Sequence, residues 1–377
     1  MSRNSATPPI GYELAPGFTS WLESLGAPTP IEPPTRPFLD TLSTVERERY
    51  DDDRRTAHAN IPVIITPQYD QLRDWLHGRV RKNGRFALNK RVCFIIGEPF
   101  QGKSRSVERI LQQFDLDEIR KYGPDTARGL RRLSVASISM WGVDNPRSKN
   151  VAVAIAEFYG IPDADRKTMH FLLRAIQAAA ERHETMAIAV DELHYFGRST
   201  KAKEELTNFF KSLQDHLHIT LVLVGVGIDA LIAQDTSGLG TRSQLSFRSY
   251  PPYRFGGFDT STHDLRKQYL QFVGALSAKL LLAEQPRGQL QHEWALWLLG
   301  RSGGRTGLLV EIVVEAADRA LSSGREHLLF NDLEHVPLPK DAQRNRDADL
   351  EVATTKVELA EWLRSGRPPR RSAGGSS

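Results

Sequence analysis

Four short apolar-rich runs alternate along the chain with stretches in which apolar residues recur every three or four positions. The runs are Val92-Cys-Phe-Ile-Ile96, Leu133-Ser-Val-Ala-Ser-Ile-Ser139, Met186-Ala-Ile-Ala-Val190 and Ile219-Thr-Leu-Val-Leu-Val-Gly225. Runs this short and apolar predict strands buried on both faces, as in a parallel sheet. Between them the period is helical. Thr66-Pro67 opens a helix, with Thr as N-cap and Pro at the first helical position, that buries Tyr69, Leu72, Leu76 and Val80. Val107, Ile110, Leu111 and Phe114 mark a second helix. Others are expected near 148–159 and 165–183, separated by Gly160-Ile-Pro162, and at 201–216, where Leu206, Phe209, Phe210, Leu213 and Leu217 form the apolar face. Strand–helix alternation of this kind predicts a parallel α/β sheet flanked by helices.

The flanks follow other rules. Residues 1–45 carry Pro8, Pro9, Pro16, Pro28, Pro30, Pro33, Pro34 and Pro37, and read as an extension with one small amphipathic patch, Phe18, Trp21, Leu22 and Leu25. Residues 46–60 are dense in charge. After Thr241 the pattern becomes polar-basic, and then helical throughout 260–335, with helices expected near 261–283, 289–300 and 305–323 and breaks at Gly303-Gly304 and Gly324. The domains expected are therefore a Pro-rich N-terminal extension (1–45), an α/β domain (46–258), a small all-helical domain (259–337) and a polar tail (338–377). That tail is expected to be helical near 348–365 and otherwise disordered.

Chemistry enters at the end of the first strand. Gly97-Glu98-Pro99-Phe100-Gln101-Gly102-Lys103-Ser104 matches G-x-x-x-x-G-K-[ST] in the strand–loop–helix setting that this pattern requires. Its glycines allow backbone N–H groups to surround phosphates, and the following helix N-terminus, carrying Arg105, favours negative charge. Lys103 is expected at the β/γ-phosphates and Ser104 at Mg²⁺, which makes ATP and Mg²⁺ the cofactors. The run at 186–190 leads into Asp191-Glu192. Asp191 is read as the second metal-side residue and Glu192 as the base that polarises water. A glutamate there marks the class in which another strand lies between the loop strand and the Asp strand. Gly97, Asp191 and Gly225 all close strands, the end at which ligands bind in such sheets.

Composition adds limits. With 377 residues, 40% hydrophobic and 25% charged, the chain is of ordinary globular make-up. No apolar run nears the ~20 residues of a bilayer span, and the first residues lack a signal-peptide layout, so a cytoplasmic protein without membrane contact is expected. Cys93, the single cysteine, lies in the first strand and reads as a core residue. Net charge is only +4, yet basic residues group as Arg79, Arg81, Lys82, Arg85, Lys90 and Arg91, and as Arg128, Arg131 and Arg132.

A phosphate loop, an Asp-Glu strand end and a helical lid together resemble the AAA+ ATPases. More narrowly, Val190-Asp-Glu-Leu-His194, Leu223-Val-Gly225, Gln244-Leu-Ser-Phe-Arg248 and Ser302-Gly-Gly304 resemble the TniB/TnsC group of ATPase regulators of transposition. The resemblance covers about residues 50–335. It implies an ASCE-type AAA+ fold, a homo-oligomeric ring or filament with ATP between subunits, double-stranded DNA as partner, and recruitment of a TniA/TnsB-like transposase and a TniQ-like target selector. Gln244, Leu245 and Arg248 match the segment bearing an arginine that acts in trans, with Arg242 the competing candidate. Arg305 matches a lid position that contacts phosphate. The strand ending at Gly225 departs from the family in lacking a polar water-positioning residue, from which slow, switch-like hydrolysis is expected. His194 is a candidate nucleotide sensor or a packed helix-start residue. Two alternatives share the motifs: a STAND-type signalling or defence switch, which normally appends a large domain not expected after 335, and a helicase-loader-like ATPase. DNA contacts are expected in the basic group before the loop and around Lys149.

Overall fold

The computed structural model describes residues 31–86, 90–140, 147–193, 200–217, 219–228, 248–339 and 356–366. Phe18, Trp21, Leu22, Leu25, His194, Arg242, Gln244 and Leu245 lie outside them. The described residues form two compact units. One comprises Pro67–Pro99 and Lys103–Phe255. The other comprises Ala27–Thr66, Phe100–Gly102 and Gly256–Ser377.

In the first unit the four apolar runs become strands β1 (Cys93–Ile96), β2 (Val135–Ser139), β3 (Ala187–Asp191) and β4 (Thr220–Gly225). A two-residue edge strand, β5 (Tyr253–Arg254), was not expected from sequence. The order is β2-β3-β4-β1-β5, every neighbour parallel. As expected of a chain with a glutamate after the Asp, a strand, β4, separates the loop strand from the Asp strand. Every residue of β1 and β4 is buried, which is why both read as continuous apolar runs rather than alternating ones. Ile96 pairs with Gly225 and Val190 with Leu223, so Gly97 and Asp191 emerge at one end of the sheet.

The helices are α3 (Pro67–Gly84), α4 (Lys103–Tyr122), α5 (Ser148–Phe158), α6 (Met169–Arg182) and α7 (Thr200–His216), preceded in the chain by α1 (Arg36–Thr41) and α2 (Thr44–Ala59) of the other unit. Tyr69, Leu72, Leu76 and Val80 are buried on α3, as their spacing predicts. One polar residue fastens this helix to the sheet. The Asn83 amide donates to Arg91 O (2.8 Å) and Thr220 Oγ1 (3.0 Å), and its Oδ1 accepts from Arg91 N (3.2 Å) and the Tyr250 hydroxyl (3.1 Å). A buried amide so fully bonded fixes register at no desolvation cost. Cys93 is fully buried, and burial pushes its thiol well above the ordinary range, so it is a core residue.

The second unit contains α8 (His263–Ser277), α9 (Gln289–His292), α10 (Ala295–Ser302), α11 (Thr306–Ser322), α12 (Phe330–Glu334) and α13 (Lys356–Ser365) around a core that includes Tyr269, Leu276, Trp297, Leu298 and Ile312. Two boundaries differ from expectation. Residues 46–66 were assigned to the α/β domain, but α2 belongs to the helical unit. Its Arg54, fully buried, donates to Glu326 Oε2 (2.8 Å) and Leu281 O (2.9 Å), and Glu326, also fully buried, accepts from Ala283 N (3.0 Å). In the tail, α13 buries Leu359 and Trp362 in the helical core, and Arg266 donates to Leu363 O (2.9 Å). The tail was expected to be helical near 348–365; the described helix is 356–365, and it is part of the packed unit.

His58, on the buried face of α2, accepts a hydrogen bond from Leu281 N at Nε2 (2.8 Å). Burial, with the Arg54 guanidinium nearby, lowers its pKa to about 4. The folded state therefore holds His58 neutral, while the unfolded chain takes up a proton near pH 6.5. Stability from this group is present above about pH 6.5 and is lost progressively as pH falls toward 4, by roughly 3 kcal/mol at most. Chemical denaturation at pH 7.5 and 5 should show this loss, and His58→Asn, which cannot titrate, should flatten the slope.

Candidate functional site

The loop begins where β1 ends and closes at the first residues of α4. Lys103, only 6% exposed, donates from Nζ to the carbonyls of Gly97 (2.9 Å) and Glu98 (2.5 Å). Burial lowers its pKa, opposed by the carboxylates of Asp191, Glu192 and Glu98. An ammonium drawn inward and surrounded by acids is a cation kept at short range for an anionic group. Its neighbour Ser104 donates from Oγ to Glu192 Oε1 at 3.3 Å. The chain turns sharply after β3: the Asp191 carboxylate accepts from Glu192 N (2.7 Å), Asp191 O accepts from Met140 N (3.1 Å), and Leu193 N donates to Val224 O (3.1 Å). Glu192 occupies φ 62°, a left-handed conformation that a non-glycine residue holds only under constraint.

Sequence spacing alone does not reveal two features. Glu108, one turn beyond Ser104 on α4, has its pKa raised by burial, lowered by Arg105 and raised again by Asp191, which places a third carboxylate within electrostatic reach of the Asp-Glu pair. The missing polar residue at Gly225 also has a steric cause. A Cβ there would lie 3.1 Å from the backbone carbon and 3.2 Å from the backbone nitrogen of Leu193, and 3.0 Å from Ile228 Cγ2. Any larger residue at 225 would push back the segment that carries Glu192.

The other expected residues lie elsewhere. Arg248 sits at the opposite end of β1 from the loop: its carbonyl accepts from Val92 N (2.8 Å), and its guanidinium pairs with Asp215 (2.5 Å). Five residue-to-residue steps of extended chain separate Val92 from Gly97, roughly 16 Å. Arg248 is therefore not brought to its own loop. Nearby, Arg79 lies over Tyr250 (4.5 Å) and Trp75 (5.9 Å), and Arg91 lies over the same tyrosine (5.6 Å). Arg81 and Lys82 are exposed on the last turn of α3 and Arg85 just after it, Arg81 facing Glu118 at 3.7 Å. Arg132, by contrast, is turned inward, donating to Gly123 O (3.0 Å) and Asp125 O (3.2 Å) and pairing with Glu184. Within the helical unit, Arg305 is the N-cap residue of α11 and donates from Nε to Ser302 O (3.2 Å).

The donors suit a nucleotide with Mg²⁺. A hydroxyl and two carboxylates are hard oxygen ligands, and Mg²⁺ takes one or two of these and completes its shell with phosphate and water. Among the described residues no cluster of three or more His, Cys, Asp or Glu could hold a metal ion. No described helix is long and apolar enough to cross a membrane.

Comparison with known proteins agrees on the fold. Residues 87–230 match the AAA domain family. No curated protein sequence matches the chain. Among solved structures, the Aeropyrum pernix ORC1 protein in complex with DNA has a TM-score of 0.51 at 13% identity, over 78% of this chain and 70% of that one. The Aeropyrum pernix ORC2 protein, in ADPNP–ADP complexes, has 0.49 at 13% over 76% and 71%. Cdc6p from Pyrobaculum aerophilum has 0.49 at 15% over 74% and 68%. The parallel sheet flanked by helices is the phosphate-loop fold found in AAA+ proteins, and residues 87–230 are similar to an AAA domain.

Replacing Glu192 with Gln keeps its shape and its contact with Ser104 while removing its charge. If Glu192 acts as a base, nucleotide affinity should stay within a few-fold of the parent and hydrolysis should fall by about 10²-fold or more, read by equilibrium binding and by phosphate release.

Proposed function

We propose that this chain is a Mg²⁺-dependent ATPase that assembles on double-stranded DNA and regulates transposition. The observation that supports this most is the contact between Ser104 at the start of α4 and Glu192 just after β3, with Lys103 and Asp191 beside them. In this reading the loop amides and Lys103 bind the β/γ-phosphates, while Ser104 and Asp191 hold Mg²⁺. The metal would supply charge neutralisation on the phosphates. Glu192 orients a water for attack on the γ-phosphate and accepts its proton. Displacing the Lys103 ammonium from the Gly97 and Glu98 carbonyls onto phosphate is the chain's own response to nucleotide. The steric closure at Gly225 leaves water without a second polar guide there, which suits slow, regulatory turnover.

Placement of Arg248 away from its own loop supports a role toward a neighbouring copy, where it would stabilise charge on the transferred phosphoryl group. Duplex DNA is the partner favoured by the basic residues around Tyr250 and along the end of α3, whose contacts would be to phosphates and therefore salt-sensitive. The TniB/TnsC-like motifs add transposition, with a TniA/TnsB-like transposase and a TniQ-like selector as protein partners.

Assembly on duplexes of graded length, followed by electron microscopy and anisotropy, tests this reading. Rings or filaments that need ATP and vanish in Lys103→Ala are expected. ATP binding without DNA association at low salt would overturn it in favour of a signalling switch. A complementation experiment addresses Arg248. Arg248→Ala alone should lower hydrolysis by about 10²-fold or more, and mixing it with Glu192→Gln, which keeps nucleotide binding and so can co-assemble, should restore part of that rate, because the Glu192→Gln copy lends its Arg248 to the intact site of its neighbour. No recovery on mixing would rule out action in trans.

A further inference from the structure

The tip of the nucleotide loop is shaped by a helix more than two hundred residues away in sequence. Residues Phe100–Gly102 group with the helical unit. The Phe100 carbonyl accepts two hydrogen bonds from the first turn of α11, from Gly307 N at 2.7 Å and from Leu308 N at 3.2 Å. These N–H groups are among those a helix leaves unpaired at its start, so the loop carbonyl serves as their acceptor. Phe100 itself is at φ 62°, and Gly102 at φ 80°. For phenylalanine the left-handed region is strained, costing roughly 1–2 kcal/mol, and the residue stays there only if outside contacts hold it. The first turn of α11 provides those contacts.

Position 307 admits only glycine in this arrangement. A Cβ there would stand 2.7 Å from Phe100 O, 3.1 Å from Phe100 C and 3.4 Å from Gly102 N, all backbone atoms that cannot swing aside. A glycine in the first turn of a helix otherwise works against the helix, since alanine is the better helix former. Its presence is explained by the close approach.

We propose that Gly307 is a positioning residue for nucleotide binding: by letting the second and third amides of α11 close on the Phe100 carbonyl, it holds the loop in the left-handed conformation that turns the Gly102 and Lys103 amides toward phosphate. This rests on the ATP-binding reading above. The functional consequence is that phosphate affinity depends on α11 as well as on the loop's own residues. Phe100 at the third variable position of the loop makes that dependence strong, because a glycine there would adopt the same φ unaided.

The test is binding of a fluorescent ATP analogue with Mg²⁺ to the full chain, with melting temperature measured in parallel. Gly307→Ala should weaken affinity about tenfold while leaving the melting temperature unchanged or higher, since alanine favours the helix. Adding Phe100→Gly to Gly307→Ala should recover most of that loss, because a glycine at 100 can shift its carbonyl and keep positive φ. A purely structural defect at 307 would not be rescued by a change at 100. Parent-like affinity in Gly307→Ala, with binding lost in Lys103→Ala, would overturn the proposal and leave the ATP reading intact. Equal weakness of the single and double variants would also overturn it. No binding by the parent chain would remove the ATP reading, and this proposal with it.

Discussion

The candidate site depends on one close approach: the backbone of Leu193 against Gly225. Leu193 N bonds to Val224 O, and the bare Cα of Gly225 lets the chain leaving β3 cross directly over the end of β4. That crossing leaves Glu192 in the left-handed region with its carboxylate at Ser104. Strand order makes this possible. With β4 between β1 and β3, Asp191 and the loop are two strands apart. The same approach closes position 225 to any side chain larger than glycine's unless the Leu193 backbone gives way.

Electrostatics on the loop side follow from burial. Lys103 has little water, and its ammonium is held by loop carbonyls and surrounding acids. Desolvation alone would favour the neutral amine, and the carboxylates of Asp191, Glu192 and Glu98 oppose it. A triphosphate would add negative charge to a place already arranged to keep a buried cation charged. Glu108 makes the acidic side richer than the Asp-Glu motif alone suggests.

The sheet was legible in the sequence because its strands are buried on both faces, and nothing polar interrupts β1 or β4. Helix α2 was not, for the opposite physical reason. Its buried residues are Arg54 and His58, so no apolar stripe marks the face that packs. The signal that could have revealed it was the capping box, Ser43 with Glu46 three residues later, a start signature independent of hydrophobic period. Its partner in the fold is Glu326, and a buried pair across more than two hundred residues has no local trace. The chemistry-bearing residues Lys103, Ser104, Asp191 and Glu192 were legible because phosphate chemistry demands particular residues at particular spacings. Glu108 and Gly307 were not, because their importance comes from what packs against them.

Strain gives a last link between sequence and action. Four non-glycine residues of the described chain have positive φ, and two of them are Phe100 and Glu192, one in the nucleotide loop and one after the Asp strand. Each is held by backbone hydrogen bonds of its neighbourhood: Phe100 through its carbonyl to α11, and Glu192 through its amide to the Asp191 carboxylate and the Leu193 tether that follows. A left-handed residue costs roughly 1–2 kcal/mol, and a net hydrogen bond contributes about as much. The two conformations are therefore close to balance, and a ligand that touches either residue needs to supply only a similar energy to move it.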